Sequence, residues 1–212
     1  MVALSGVVYT SKCVAQSVTS EIPTEPIHRL TVEQYRRMVD DGILGSGDPV
    51  ELLEGWLVEK MTKKPPHRIA TRRARVALEA VVPKGWYVDT QEPITTLDSE
   101  PEPDVAVIKG RTEDYSDDNP PADCVGLVIE VADVSLLRDR ELKARIYGRA
   151  GIPTYWILNL PERRVEVFTA PSGISATPGY AKRTEYVDGD NIPVVLDGVE
   201  LGRVAVRDLL PS

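Results

Sequence analysis

The sequence predicts a mixed α/β domain, a sheet with helices early in the chain and hairpins late. Three observations carry this. Val125–Val134 is an almost unbroken apolar run, as expected of a central strand covered on both faces. A helix-patterned segment, Arg138–Ala150, and a second apolar strand, Tyr155–Asn159, follow it and complete a β-α-β unit. Shorter strand-like segments close the chain at Val165–Phe168, Ala181–Tyr186, Ile192–Leu196 and Leu201–Val206.

The earlier elements follow from local chemistry. Residues 1–27 are Ser/Thr-rich and weakly patterned, with Pro23 and Pro26, and read as a loose arm or an edge element ahead of one domain over 28–212. Thr31-Val-Glu-Gln34 is a capping box, starting a helix that would bury Val32, Tyr35, Met38 and Val39 and stop near Gly42. Glu51–Glu54 and Trp56–Lys60 read as a hairpin turning at Glu54-Gly55. After Pro65-Pro66 a helix is expected from His67 to Val82. Its apolar side would be Ile69, Val76, Leu78, Ala80 and Val81, with Arg68, Arg72 and Arg75 on the other. Trp86–Glu92 and Asp104–Ile108 are strand candidates, and Gly151 closes the Arg138–Ala150 helix.

Composition excludes several classes. With 42% hydrophobic and 27% charged residues, the 212-residue chain has enough apolar material for a core and is not a disordered sequence. It has no apolar run of membrane-spanning length and no secretory pattern, so a cytoplasmic protein without membrane association is expected. Cys13 and Cys124 make neither a disulfide scaffold nor a thiolate zinc site. Zinc-protease, phosphate-loop and dinucleotide-binding motifs are absent, so no organic cofactor is expected.

The net charge of −8 is unevenly distributed. From Lys60 to Lys84 there are eight Lys/Arg against the single acid Glu79. From Asp89 to Asp123 there are eleven acids against Lys109 and Arg111. A folded chain would present a basic surface beside an acidic centre, or else two solvated faces.

Within the acidic part, Asp104 opens a short strand and Glu130 lies inside the most hydrophobic one. Alternation puts Glu130 with Val128 and Ala132 on one face, and Asp104 with Ala106 and Ile108 on one face of its own strand. A carboxylate in such a run is costly unless paired or metal-bound. Two converging carboxylates call for a hard divalent cation, or for neutralisation by the arginines of the nearby helix. The residues alone leave both readings open.

The ordered set Glu51-Leu-Leu-Glu-Gly-Trp-Leu-Val-Glu-Lys-Met61, His67, Glu100-Pro-Glu-Pro-Asp104, Val128-Ile-Glu-Val131, Lys143, Tyr147 and Ala150-Gly-Ile-Pro-Thr-Tyr-Trp-Ile157 resembles the Uma2 family of restriction-endonuclease-like proteins, in the PD-(D/E)XK nuclease superfamily. The resemblance spans roughly residues 30 to 170. It implies a restriction endonuclease-like mixed β-sheet flanked by helices, with additional N-terminal and C-terminal strands.

It also implies a metal-dependent endonuclease acting on DNA phosphodiester bonds with Mg²⁺ or Mn²⁺. Asp104, Glu130 and Glu54 would be the metal carboxylates. The superfamily's usual lysine position is Ala132 here, which shifts the catalytic lysine to Lys143 on the following helix. Gln91, His67 and Tyr147 would support the site. Lys63, Lys64, Arg68, Arg72, Arg73 and Arg75 would contact the nucleic acid. A homodimer is expected, since cutting a duplex takes two active sites. One alternative is an inactive nucleic-acid-binding or protein-interaction module on a nuclease scaffold, marked by DNA binding retained without metal binding. Another is a structural or homo-oligomeric protein whose acids are simply paired, marked by Arg or Lys side chains filling the space between Asp104 and Glu130.

Overall fold

The computed structural model describes residues 26–45 and 47–211. The expected arm lies outside the described residues except for Pro26 and Ile27. Helix α1 is Val32–Asp40, entered through the expected capping box: Thr31 accepts from the Gln34 N–H, and Gln34 reaches back to the Thr31 N–H. Of the four residues expected to face inward only Tyr35 is buried. This helix is fixed by a polar anchor, Arg36 on Glu100 and Thr95, rather than by a wide apolar stripe.

The hairpin is β1 (Val50–Leu53) with β2 (Trp56–Glu59). Its turn, Glu54-Gly55, has positive φ at both residues, 49° and 80°, the two-residue turn that matches strand twist. A Cβ at Gly55 would strike Arg29, so glycine is required there on two counts.

Helix α2 is Pro65–Glu79, with proline in its first turn. The expected apolar side is corrected. Ile69 and Val76 are exposed, and the residues turned onto the sheet are Ala70, Thr71, Ala74 and Leu78. Small residues let the helix lie close to the strands.

The main sheet has six strands in the order β3-β4-β5-β6-β7-β8: β3 Trp86–Asp89, β4 Val105–Lys109, β5 Val125–Ala132, β6 Thr154–Asn159, β7 Arg164–Pro171 and β8 Tyr180–Tyr186. Only β5 and β6 pair in parallel. All eight residues of β5 are buried, as its composition requires. The crossover helix between them is α3 (Leu136–Arg138), a π-helical turn over Asp139–Lys143, and α4 (Ala144–Arg149). A second hairpin, β9 (Asn191–Leu196) with β10 (Val199–Ala205), leads into a short α5 (Val206–Leu209).

The sheet is covered on both faces. α2, the β9–β10 hairpin and α5 pack on Val105, Val107, Leu127, Ile129, Val131, Trp156 and Leu158. The β1 residue Leu53 and the crossover helix cover Ala106, Val128, Ala132, Tyr155 and Ile157. The alternation read from the sequence is therefore the observed one, with Glu130 on the crossover-helix face. Among the described residues no helix is long and apolar enough to cross a membrane.

Candidate active site

The β4–β5 register pairs Val105 with Ile129, so Asp104, one residue ahead of β4, stands beside Glu130. Both are buried, Asp104 at 4% exposure and Glu130 at 6%. Asp104 Oδ2 accepts the Val131 N–H at 2.9 Å and lies 3.1 Å from His67 Nε2, while its Oδ1 is 3.3 Å from Lys63 Nζ. Burial pushes the Asp104 carboxyl up, but His67, Lys63 and the Val131 N–H outweigh it and hold the group below the usual aspartate range.

Glu130 is different. Its Oε1 accepts the Tyr147 hydroxyl at 2.6 Å and lies 3.3 Å from Lys143 Nζ. Burial dominates, opposed by Lys143 and reinforced by Asp104, and raises this carboxyl to about 8.

Lys143 leaves the π-helical turn 1% exposed and donates to Glu51 Oε2 at 2.6 Å. Burial would lower it, but Glu130 and Glu51 together hold it above the ordinary lysine range. It is a fixed cation. Glu51 also accepts the Glu102 N–H at 3.1 Å, tying the hairpin to the segment that carries Asp104. Asp139, in the same π-helical turn, lines this pocket and is raised to about 6 by burial against the pull of Ser135 and Lys143. π-helical turns recur where a helix must aim side chains into a site.

Six further residues named by the sequence need placing. His67 and Tyr147 reach the site by direct contact, as given above. Glu54 does not: in the hairpin turn it is gripped by both nitrogens of the Arg145 fork, at 2.9 and 2.8 Å, and held below the usual range by that contact. Glu51 is the hairpin acid at the site. Its signal was in the sequence, since a strand residue two before Leu53 shares its face, whereas a turn residue does not. Gln91 is exposed and lines a neighbouring cleft. It meets the site only through its backbone N–H, which donates to the Pro103 carbonyl. Arg73 donates to the Leu210 carbonyl, and Arg75 pairs with Glu79 on the exposed side of α2.

Of the remaining basic residues, only Lys64 lines the pocket. Lys64 lies 3.5 Å from Asp133, and Arg68 and Arg72 are exposed along α2. On the far side of Lys60 and Glu102 a larger cleft carries Asp40, Asp48, Glu92, Asp117 and Asp118. The site pocket itself mixes both signs, with Lys60, Lys63, Lys64 and Arg138 beside Glu102, Asp104 and Asp133.

A sheet with one parallel pair, an acid at the start of one strand and another within its neighbour narrows the possibilities, and comparison with known proteins decides the family. The profile of Uma2, described as "Putative restriction endonuclease", matches residues 32–202. The chain belongs to the Uma2 family. It shares the restriction-endonuclease-like fold of the PD-(D/E)XK superfamily. A similar solved structure is that of a "putative nuclease belonging to DUF820" from Anabaena variabilis ATCC 29413. The two are 15% identical, the match covers 85% of this chain and 97% of that one, and the TM-score is 0.60. At that identity the likeness is one of fold. No curated protein matches this chain.

Among the described residues no three His, Cys, Asp or Glu side chains are grouped as a caged metal would need. Magnesium does not ask for a cage. It keeps several waters and is commonly held by one or two carboxylates together with substrate phosphate. Two carboxylates on adjacent strands, one of them poorly compensated, fit that requirement.

Proposed function

We propose that this Uma2 protein is a divalent-metal-dependent endonuclease hydrolysing DNA phosphodiester bonds. The observation that carries the reading is Glu130, a buried carboxylate of the central strand that lines the pocket beside Asp104 and shares its one ammonium, Lys143, with Glu51. A group left under-compensated in that way favours a further cation. Asp104 and Glu130 would hold Mg²⁺ or Mn²⁺, which, when bound, lowers the pKa of a water and offsets charge developing on phosphate.

The chain's own residues prepare that site. The Val131 N–H and His67 fix Asp104 through Oδ2, and the Tyr147 hydroxyl fixes Glu130 through Oε1. Lys143, pinned by Glu51, supplies a permanent positive charge to the attacked phosphate. An ammonium held above the ordinary lysine range serves as a charge rather than as a base. Lys64, Arg68 and Arg72 would meet the DNA backbone, and a homodimer would bring two sites to one duplex.

A specific observation favours a second reading, an inactive module whose acids are simply paired: Lys63 and His67 contact Asp104, and Lys143 contacts Glu130. Plasmid and single-stranded DNA incubated with Mg²⁺ or Mn²⁺, with EDTA and Asp104→Ala controls, separate the two. Cutting that requires metal and is lost in Asp104→Ala is the expected result. A folded protein that binds DNA but never cuts it would favour the module.

A further inference from the structure

We infer that Lys63 is an exchangeable cation: it neutralises Asp104 while the metal site is empty, and it moves to a substrate phosphate once a metal arrives. Metal and DNA then bind cooperatively. The inference rests on the metal-site reading above.

Three observations point to it. First, the two oxygens of Asp104 are treated differently. Oδ2 is committed to the Val131 N–H and His67, whereas Oδ1 faces only the Lys63 ammonium, at 3.3 Å. The oxygen best placed for a metal already has a cation on it. Second, the two lysines of the site differ in freedom. The Lys143 side chain is 2% exposed and locked at 2.6 Å to Glu51, whereas that of Lys63 is 32% exposed at the mouth. Only Lys63 can leave without stranding a charge in the core, and its flexible stem lets the ammonium swing to a new anion.

Third, the segment bearing Lys63 is held by its side chains. None of the backbone N–H groups of Met61–Lys64 donates a hydrogen bond among the described residues. Instead Lys60 pairs with Glu102, Lys63 with Asp104 and Lys64 with Asp133. A divalent ion on Oδ1 would repel the ammonium, and the phosphate drawn in by that ion would be the nearest unpaired anion. Because coupling is reciprocal, DNA must tighten metal binding by the factor by which metal tightens DNA binding.

The test is a set of Mn²⁺ binding isotherms, read by the electron paramagnetic resonance of free Mn²⁺, with and without a phosphorothioate-substituted duplex. Wild type, Lys63→Gln and Lys182→Gln are compared; Lys182 is exposed on β8 and controls for net charge. Without duplex, Lys63→Gln should bind Mn²⁺ at least about fivefold more tightly than the other two, the lower end of ordinary coupling. Duplex should tighten Mn²⁺ binding by wild type and Lys182→Gln, and much less by Lys63→Gln. Equal or weaker Mn²⁺ binding by Lys63→Gln overturns the inference and leaves the metal-site reading standing. Tighter binding by that variant, with no effect of duplex on wild type, overturns the exchange to phosphate. Wild-type binding that Asp104→Ala does not diminish overturns the inference and the reading together.

Discussion

Glu130 and Glu166 occupy one row of the sheet. The register pairs Glu130 with Ile157 on β6, and Ile157 with Glu166 on β7, so both glutamates stand on the crossover-helix face with one residue between them. Glu166 is wholly buried, and Glu130 is buried but borders the pocket. Their electrostatics nonetheless run in opposite directions. Glu166 takes both nitrogens of the Arg140 fork, the Asn159 amide at 2.9 Å and Arg183 at 3.0 Å. Burial pushes it up, yet these partners outweigh burial and leave it below the usual range. Glu130 has one ammonium, shared with Glu51, and a phenol. There burial wins. Two guanidiniums complete one ion cluster, and half a lysine leaves the other incomplete. Burial of an acid does not mark a site, whereas incomplete compensation does.

The comparison is broken most directly by exchanging the consequences. Glu130→Gln should reduce metal-dependent cleavage by about a thousandfold or more, the scale of losing metal-borne charge stabilisation. It should shift stability by no more than about 1 kcal/mol, because Lys143 keeps Glu51. Glu166→Ala should do the reverse. It leaves Arg140 and Arg183 without their shared anion and the buried Asn159 amide without its acceptor, at a cost of about 2–4 kcal/mol in urea denaturation. Cleavage per folded molecule should be nearly unchanged. If both variants lose stability alike, the distinction between a completed and an incomplete cluster fails.

The parts legible in the sequence were those fixed by local rules. The Thr31–Gln34 capping box, the Glu54-Gly55 turn and the alternation that turns Glu130 with Val128 and Ala132 all depend on neighbours within a few residues. The family pattern points to Lys143, and the fold places its ammonium beside Glu130, although its burial left no mark in the sequence. Less legible was whatever tertiary packing decides. Hydrophobicity points to Ile69 and Val76 as the inner face of α2, yet close helix–sheet approach selects Ala70 and Ala74. The choice between Glu51 and Glu54 turned on one residue of hairpin phase, and the partner that removes Glu54, Arg145, lies 91 residues away. The π-helical turn over Asp139–Lys143 left no trace in residue types, and neither did the ion cluster on Glu166, whose arginines come from two other elements.

The smallest expected effect is also the sharpest, because the two glutamates give stability opposite dependences on pH. Glu166, lowered in the fold, contributes stability that is present above the ordinary glutamate value near 4.5 and lost as pH falls through its folded value. Glu130, raised to about 8, holds a proton in the fold that the unfolded chain has already released; its contribution is full below 4.5 and is lost as pH rises to about 8. Asp139 acts in the same sense but, at about 6, has mostly finished by then. The interval from pH 6 to 8 therefore lies beyond Asp139 and within the range of Glu130. In EDTA, wild-type stability measured by urea denaturation should decline across it more steeply than that of Glu130→Gln. The difference is bounded by about 1.4 kcal/mol per pH unit for one proton. Equal slopes in the two proteins would mean that Lys143 compensates Glu130 as fully as the arginines compensate Glu166, and the physical ground for a cation at that position would be gone.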